Sequence, residues 1–393
     1  MTRKDGLVDF GHTEEQVLIA ESARKLVDGL GPAAVRAPFD PGVWRELAAQ
    51  GFLSVALPER FGGVGGAAEL AIICRAFGAG ALREPYVGAG VFPAQLVVHA
   101  GSEAQLAVLL PAIAAGERIL SVAYLDAPEA PGPTTYRRDG GAYVLQGRKC
   151  LALGAPAADQ LIVSASRADS PEGAGLSLFL VDRQASGLHL TDTPLVDGGS
   201  CAEVWLEAVR VPEEALLGRE GAAADALAAA LRFATLGCCS QTAGAMGEAL
   251  RITADYLKVR KQFGVTLSSF QVLRHRIADM TIDCQMAEAA ILKMVASFEA
   301  PEQHDPDLAL SLGKVMLSEA GHRVCSQAIQ LHGGVGLTEE CTVGHYFRHV
   351  TLNSALFGGP ADHLARYGAQ LTERGLAEAA SPEPTAGEPS HAG

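Results

Sequence analysis

The stretch YLKVRKQFG at residues 256–264 ends a long, alanine-rich helical pattern and is followed by Gln271 in SSFQVLRHRIADM. Arg260 lies where the helical pattern stops. Arginine suits a phosphate group because its guanidinium presents several donors in a fixed fork. Taken alone, Arg260 is better explained as a solvated helix charge and Gln271 as a helix cap. The stretch therefore indicates a phosphate-bearing ligand only if a second motif accompanies it.

A second motif follows downstream, where residues 330–340 read QLHGGVGLTEE and Arg348 lies behind them. Glycines leave room for a cofactor to approach the backbone closely. A lone pair of glycines would be read as a turn between helices. Because both stretches occur in order in one chain, coincidence is a poor explanation for the pair.

Together the two stretches resemble the signatures of the acyl-CoA dehydrogenase family, Y-x-x-x-R-x-x-F-G with a downstream F-Q, and a later Q-x-x-G-G. Weaker similarity covers nearly the whole chain and includes TEEQ at 13–16, PERFGG at 58–63, GRKCLALGAPAAD at 147–159 and VRVPEEALLG at 209–218. The resemblance implies a flavoprotein that binds FAD and an acyl-CoA thioester.

The resemblance implies an α+β fold, mostly α, with an N-terminal helical domain, a middle β domain and a C-terminal four-helix bundle, assembled as a dimer of dimers. The residues favour the same organisation. Aromatic side chains make up only 6% of the chain, which favours packed helices, whereas short runs such as ILSVAYL and LSLFLV are typical of strands. We predict a helical domain at 1–118, a β domain at 119–220, a bundle at 221–375 and a disordered tail at 376–393.

Composition excludes several classes of partner. The net charge of -14 provides no basic surface for nucleic acid. No apolar stretch is long enough for a membrane span, and the first residues, MTRKDGLVDF, lack a signal pattern. Eight cysteines show no C-x-x-C spacing, so neither a metal site nor a disulfide framework is expected. We expect a cytoplasmic protein.

The resemblance also implies which residues contact FAD. Arg260 and Gln271 match family residues that reach across a dimer interface to the diphosphate and adenosine of a neighbour's flavin, and the glycine motif matches a second contact on the adenine side. The predicted cofactor-binding residues are Arg260, Gln262, Phe263, Gln271, Gln330, Gly333 and Gly334.

The usual catalytic glutamate is absent. Removing an α proton of low acidity requires a positioned base, and most family members carry it nine residues after the arginine matched by Arg348. That count ends on Phe357, and alignment by the glycines ends on Gly358. Asp362 lies about a turn further on, where it is expected to cap a helix or face solvent. The alternative base position of some relatives falls on Ala234, before a threonine instead of an arginine.

Groups that would contact the flavin ring are also replaced. The family's A-L-T-E-P segment reads AYLDA at residues 123–127, so Leu125 stands for the threonine. The W-x-T segment corresponds to Leu151, Ala152 and Leu153. The losses are selective, because the residues that serve a neighbour's flavin persist.

Four histidines near the end of the chain offer a possible metal site or base. His345 and His349 form the only helical pair among His332, His345, His349 and His363. No carboxylate accompanies that pair at helical spacing, so no metal site is predicted. We expect a structural role at the bundle surface.

Three functions fit these observations. The favoured one is a subunit of a heteromeric acyl-CoA dehydrogenase, a heterotetramer in which this chain shares FAD with a base-bearing homologous subunit and passes electrons to an electron-transfer flavoprotein or similar acceptor. Its substrate would be an acyl-CoA such as a sterol side-chain thioester. The alternatives are a homomeric dehydrogenase with a relocated base and a non-catalytic acyl-CoA-binding or scaffolding homologue.

Overall fold

The structure is a computed structural model that describes residues 3–4, 7–8, 11–31, 37–169 and 175–380. A group of helices comes first, a sheet follows, and a second group of helices completes the chain. The predicted α+β, mostly helical fold is therefore confirmed.

The N-terminal helices are set by local capping and turn residues. In α1, the Thr13 hydroxyl accepts from the Gln16 N–H at 3.2 Å, and the Gln16 side chain accepts from the Thr13 N–H at 3.1 Å. This reciprocal capping box fixes the start of the helix. A single turn of π-helix, Tyr86–Val91, leads directly into α4. The helices are α1 (Glu14–Gly29), α2 (Pro41–Ala49), α3 (Ala67–Ala79), α4 (Phe92–Ala100) and α5 (Glu103–Ala114).

The middle segment forms one sheet with its own core of Tyr136, Tyr143, Phe179 and neighbouring aliphatic side chains. Its strands run in the order β11-β8-β7-β5-β6-β10-β9, with β3 beside β7 and β4 beside β6. Most pairs are antiparallel, and the described residues of this segment contain no α-helix between the strands. The strands are β3 (Leu120–Ala123), β4 (Leu125–Asp126), β5 (Thr135–Arg138), β6 (Ala142–Leu153), β7 (Gln160–Arg167), β8 (Leu176–Asp182), β9 (Leu188–Pro194), β10 (Ser200–Pro212) and β11 (Leu216–Leu217), whereas β1 (Arg3–Lys4) pairs only with β2 (Leu7–Val8).

Long helices build the C-terminal bundle, and a short hairpin of β12 and β13 interrupts them. The last helix continues to Ala380, so residues 376–380 are helical where a disordered tail is predicted, and residues 381–393 lie outside the described ranges. None of the helices in those ranges is long and apolar enough to cross a membrane. The elements are α6 (Ala224–Val259), β12 (Lys261–Gln262), β13 (Val265–Thr266), α7 (Gln271–Glu299), α8 (Pro306–His332), α9 (Thr342–Ala355) and α10 (Pro360–Ala380).

The N-terminal helices and the bundle share one continuous apolar core. Helices α3 and α6 approach so closely that a Cβ atom on Gly244 would lie 1.9 Å from the Arg75 carbonyl oxygen, and one on Gly78 would lie 1.9 Å from the Gln241 carbonyl oxygen. The Tyr346 hydroxyl donates to the Ala79 carbonyl at 2.6 Å and adds a polar contact between the two helical parts. The β domain therefore packs beside one joined helical body.

Candidate functional site

Helix direction brings the sequence motifs together at one end of the bundle. Helix α6 ends at Val259, α7 begins at Gln271 and returns along the bundle, and α8 runs back to end at His332. The end of α6, the start of α7 and the end of α8 therefore lie side by side. Tyr256 of α6 and His332 of α8 stack with ring centroids 4.4 Å apart, which confirms that the two motifs are neighbours.

Arg260 is held by its backbone and presents its side chain to solvent. Its N–H donates to the Tyr256 carbonyl at 2.9 Å, and its carbonyl accepts from Leu267 N–H at 2.8 Å. Arg260 is exposed, and the ion pairs within the described ranges do not include it. In the adjoining hairpin, Phe263 is 91% exposed and has a φ of 53°. An aromatic ring this exposed on a strained backbone indicates a surface that meets another molecule.

The glycine motif forms a tight turn at the end of α8, and its backbone is exposed. Gly333 has a φ of 64°, which favours glycine. A Cβ atom on Gly333 or Gly334 would have no neighbour within 4 Å, so the backbone is open to a ligand. The segment that follows the turn is held by Arg348, whose guanidinium forms a bidentate ion pair with the Glu339 carboxylate at 2.9 and 3.0 Å.

The glutamines complete this exposed surface. Gln271 is the first residue of α7, but its side chain does not cap the helix, because the N-cap residue is Phe270 and makes no side-chain cap. Gln262 on β12 and Gln330 near the end of α8 are also exposed. A guanidinium fork, amide side chains and open glycine backbone suit the diphosphate and adenosine of a dinucleotide. This half of the predicted FAD site fits the residues present.

Apolar side chains occupy both of the predicted base positions. Phe357 lies between α9 and α10 with a φ of 59°, is buried, and packs edge-on against Phe92 with centroids 5.6 Å apart. Ala234 is fully buried within α6. Asp362 accepts from the Gly359 N–H at 2.9 Å near the start of α10, which matches the predicted capping role. Neither Phe357 nor Ala234 has a side chain that could accept a proton.

The ring half of the predicted FAD site does not fit the residues present. Leu125 on β4 is 37% exposed and pairs across the sheet with Cys150. Leu153 packs closely against Gly88: a Cβ atom added to Gly88 would lie 2.5 Å from the Cβ atom of Leu153. The nearby polar groups satisfy each other, because Lys149 Nζ lies 2.8 Å from Asp126 Oδ1. No hydroxyl remains on this face at the positions that resemble the family's ring contacts.

The cleft beside Phe357 is nearly filled. It lies between the π-helical turn, α6, the end of α9 and the β domain, and its volume is about 50 Å³. Small-molecule pockets commonly measure about 300–1,000 Å³, so the open space in this cleft is well below the size that an acyl chain needs. A cavity of about 680 Å³ lies between α1, α3, α6 and α7, but none of the predicted cofactor-binding residues lines it.

The expected surface position of the four histidines is wrong. His332, His345, His349 and His363 are all at most 5% exposed. Packing of α8, α9 and α10 against the rest of the fold covers them, and each has a hydrogen-bond partner. Within the described ranges no group of histidine, cysteine and carboxylate side chains could hold a metal ion.

One of these histidines links the bundle to the β domain. His349 Nδ1 lies 3.2 Å from Asp197 Oδ2, and its Nε2 lies 3.2 Å from the Asn353 side-chain amide. The two residues are far apart in sequence, so spacing gave no signal of the contact. Burial alone would raise the pKa of the Asp197 carboxyl, but the hydrogen bond and charge of His349 and the Gly199 N–H outweigh burial and hold that pKa below its ordinary value.

The lowered pKa makes a prediction about stability. A carboxyl whose pKa is lower in the folded than in the unfolded state stabilises the fold at pH values above its unfolded pKa of about 3.9. This stabilisation is lost as the pH falls through the folded pKa. We expect Asp197→Asn to lower the free energy of unfolding by about 1.5–3 kcal/mol at pH 7 and to flatten its decline between about pH 5 and pH 3. Urea denaturation across this range measures both effects, and equal acid sensitivity of the two proteins would contradict the assignment.

A buried lysine fixes the chain just before Phe357. Lys314 is 1% exposed, and its Nζ donates to the carbonyl oxygens of Asn353 and Leu356 and lies 3.8 Å from Cys238 Sγ. These carbonyls belong to the end of α9, where the helix dipole favours a cation. A signal was present in the sequence, because Lys314 occupies a helical position among apolar residues in LSLGKVML.

Comparison with known proteins identifies the family over most of the chain. Three family models match in order: "Acyl-CoA dehydrogenase, N-terminal domain" at residues 13–117, the middle domain at 126–209 and the C-terminal domain at 224–370. Acyl-CoA dehydrogenase FadE27 of Mycobacterium tuberculosis is 32% identical over 348 residues, which cover 85% of this chain and 89% of that protein.

Solved structures agree with this assignment. A chain of the ChsE4-ChsE5 complex from Mycobacterium tuberculosis is 27% identical to this chain and superposes on it with a TM-score of 0.83. The alignment covers 93% of this chain and 99% of that chain. A chain of the Tcur3481-Tcur3483 steroid ACAD is 30% identical, covers 92% of this chain and 99% of its own length, and has a TM-score of 0.80. The chain belongs to the acyl-CoA dehydrogenase family, whose members are oxidoreductases that act on acyl-CoA and use FAD.

Proposed function

We propose that this chain is the base-lacking subunit of a heteromeric, FAD-dependent acyl-CoA dehydrogenase. One contrast carries the proposal: the residues that would serve a neighbour's flavin are exposed and together, whereas leucines occupy the chain's own predicted ring-contact positions and the cleft beside Phe357 is nearly filled. Random loss of functional residues would not be expected to remove one half of a cofactor site and keep the other half. We call the exposed set the cofactor-lending surface; it comprises Arg260, Gln262, Phe263, Gln271, Gln330, Gly333 and Gly334.

In this proposal the two subunits divide the work. When bound, FAD would supply the acceptor for the hydride that leaves the β carbon of the acyl-CoA, and a base would remove the α proton. The partner supplies that base and the groups around the flavin ring. Arg260 binds the diphosphate through its donor fork, because a charged two-pronged contact fixes orientation as well as affinity. The turn at Gly333 admits the adenosine end because no side chain blocks it.

The cofactor-lending surface is also suited to protein contact. Val259, Phe263 and Leu337 are 74%, 91% and 78% exposed at this end of the bundle, and an apolar patch of this kind marks an interaction site. Val272 and Val335 extend the patch. We infer that a homologous, base-bearing subunit covers it, giving a heterotetramer. The similarity to chains of the ChsE4-ChsE5 and Tcur3481-Tcur3483 complexes supports this arrangement.

The substrate class follows less directly from this chain. Because its own cleft measures only about 50 Å³, the partner would bind the acyl group. The similarity to the Tcur3481-Tcur3483 steroid ACAD supports a sterol side-chain thioester or a comparable acyl-CoA. Electrons would leave the complex through an electron-transfer flavoprotein or a similar acceptor.

Turnover by the chain alone and by the complex tests this function. We expect the chain alone to be inactive and the complex with a glutamate-bearing homologous subunit to oxidise acyl-CoA. Replacing the partner's catalytic glutamate with glutamine should lower the turnover rate of the complex about a hundredfold or more. Phe357→Leu in this chain should leave that rate nearly unchanged. Turnover by the chain alone would instead support a homomeric enzyme, and an inactive complex would support a scaffolding homologue.

One observation favours the homomeric alternative. His349 borders the filled cleft, and Asp197 accepts from its ring at 3.2 Å, the kind of pairing that orients a catalytic imidazole. Its Nε2 faces Asn353 within the bundle, so the Asn353 amide would have to turn away before a substrate could reach it. If His349 is the base, His349→Gln abolishes turnover by the chain alone, and no partner is required.

A further inference from the structure

One stacked pair joins the two halves of the cofactor-lending surface. The rings of Tyr256 and His332 have centroids 4.4 Å apart and planes inclined by 22°. The Tyr256 hydroxyl also donates to the His332 carbonyl oxygen at 3.4 Å. Among the hydrogen bonds within the described ranges, this is the only one that links residues 256–271 with residues 330–337.

Each ring is tied to a group that would meet the cofactor. The Tyr256 carbonyl accepts from the Arg260 N–H at 2.9 Å, so the arginine backbone lies one helical turn from the tyrosine ring. His332 immediately precedes Gly333, is 5% exposed, and donates from Nδ1 to the Ala328 carbonyl at 2.8 Å. We therefore expect a shift of either ring to change the position of Arg260 relative to the glycine turn.

We propose that Tyr256 and His332 are a positioning pair that sets the spacing between Arg260 and the Gly333 turn, and so matches the cofactor-lending surface to the diphosphate and adenosine of FAD. This inference rests on the proposed function. The pair acts through its neighbours, because its rings lie behind the exposed surface instead of on it. Planar rings suit this task, since they have few rotatable bonds and stack in few arrangements.

The competing explanation is ordinary packing between α6 and α8. Packing alone would make the two rings matter for the free energy of unfolding and for assembly. It would not make them matter for flavin affinity in complexes that assemble normally. Coupling between the two residues in flavin binding therefore separates positioning from packing.

The test uses the flavin-free complex with its base-bearing partner, titrated with FAD and followed by flavin fluorescence. We expect Tyr256→Leu and His332→Leu each to weaken FAD binding about threefold to tenfold, because each removes the stack. The double variant should bind no more weakly than the worse single variant. Tyr256→Phe keeps the ring, and its affinity should stay within about twofold of the unaltered complex.

Amide hydrogen exchange of the flavin-free chain gives an independent readout. Tyr256→Leu should speed exchange in the hairpin at residues 261–266 while the unfolding temperature changes little. Unchanged affinity, additive effects of the two substitutions, or unchanged hairpin exchange would each overturn the inference. If Arg260→Ala also leaves FAD affinity unchanged, the proposed function fails instead, and the exchange result still decides whether the pair positions the hairpin.

Discussion

Replacing Arg260 with alanine is expected to weaken FAD binding by the co-expressed complex about tenfold to hundredfold. The loss follows because a hydrogen bond to a charged group contributes about 1.5–3 kcal/mol. The proposed function predicts this loss even though the base would lie on the other chain. Arg260→Lys should recover only part of the affinity, since a single ammonium cannot reproduce the two-pronged contact. Equilibrium titration of the flavin-free complex measures each value.

A second arginine on the same helix provides the control. Arg251 is also exposed, but Glu248 and Asp255 contact its guanidinium at 2.6 and 3.1 Å along the surface of α6. Exposed pairs of this kind contribute about 0–1 kcal/mol. Arg251→Ala should therefore leave flavin affinity unchanged. If Arg260→Ala behaves like this control, the RKQFG motif serves packing, and the shared-flavin proposal is wrong.

Gly244→Ala is expected to destabilise the chain by about 3 kcal/mol or more. The added Cβ would lie 1.9 Å from the Arg75 carbonyl oxygen, so α3 and α6 would have to separate. Backbone atoms cannot rotate away as a flexible side chain can. The midpoint of chemical denaturation should fall accordingly.

A nearby glycine separates this clash from a general effect of alanine. A Cβ on Gly247 would meet nothing within 4 Å, and the residue lies on the same helix. Alanine is the better helix former, so Gly247→Ala should stabilise the chain by about 0.5–1 kcal/mol. Equal effects at the two positions would show that α3 and α6 do not approach as closely as described.

The fold could be predicted because its signals are local. The alanine-rich helical pattern and the short runs typical of strands are each read from neighbouring residues. The joined helical core could not be predicted in the same way. It depends on Gly78 and Gly244 facing the opposite helix backbone, and periodicity does not show which glycines meet.

The candidate site divides along the same line. The family resemblance singled out Arg260, Gln271 and Gly333, and helices of alternating direction bring the helix ends that carry them together. Asp197 and His349 are 152 residues apart in sequence and belong to different domains, so no local sequence pattern predicts their contact. Burial of the four histidines likewise depends on how α9 and α10 pack.

The flavin content of purified protein tests the central claim most directly. In the proposed function this chain lends one half of a flavin site, and leucines occupy its own predicted ring-contact positions, so each pair of unlike subunits should hold one FAD. Visible absorbance of the extracted flavin, divided by the amount of each chain, gives this ratio. The account predicts one FAD for each pair in the complex and essentially none in the chain purified alone. Two flavins for each pair, or a fully loaded chain without its partner, would contradict it.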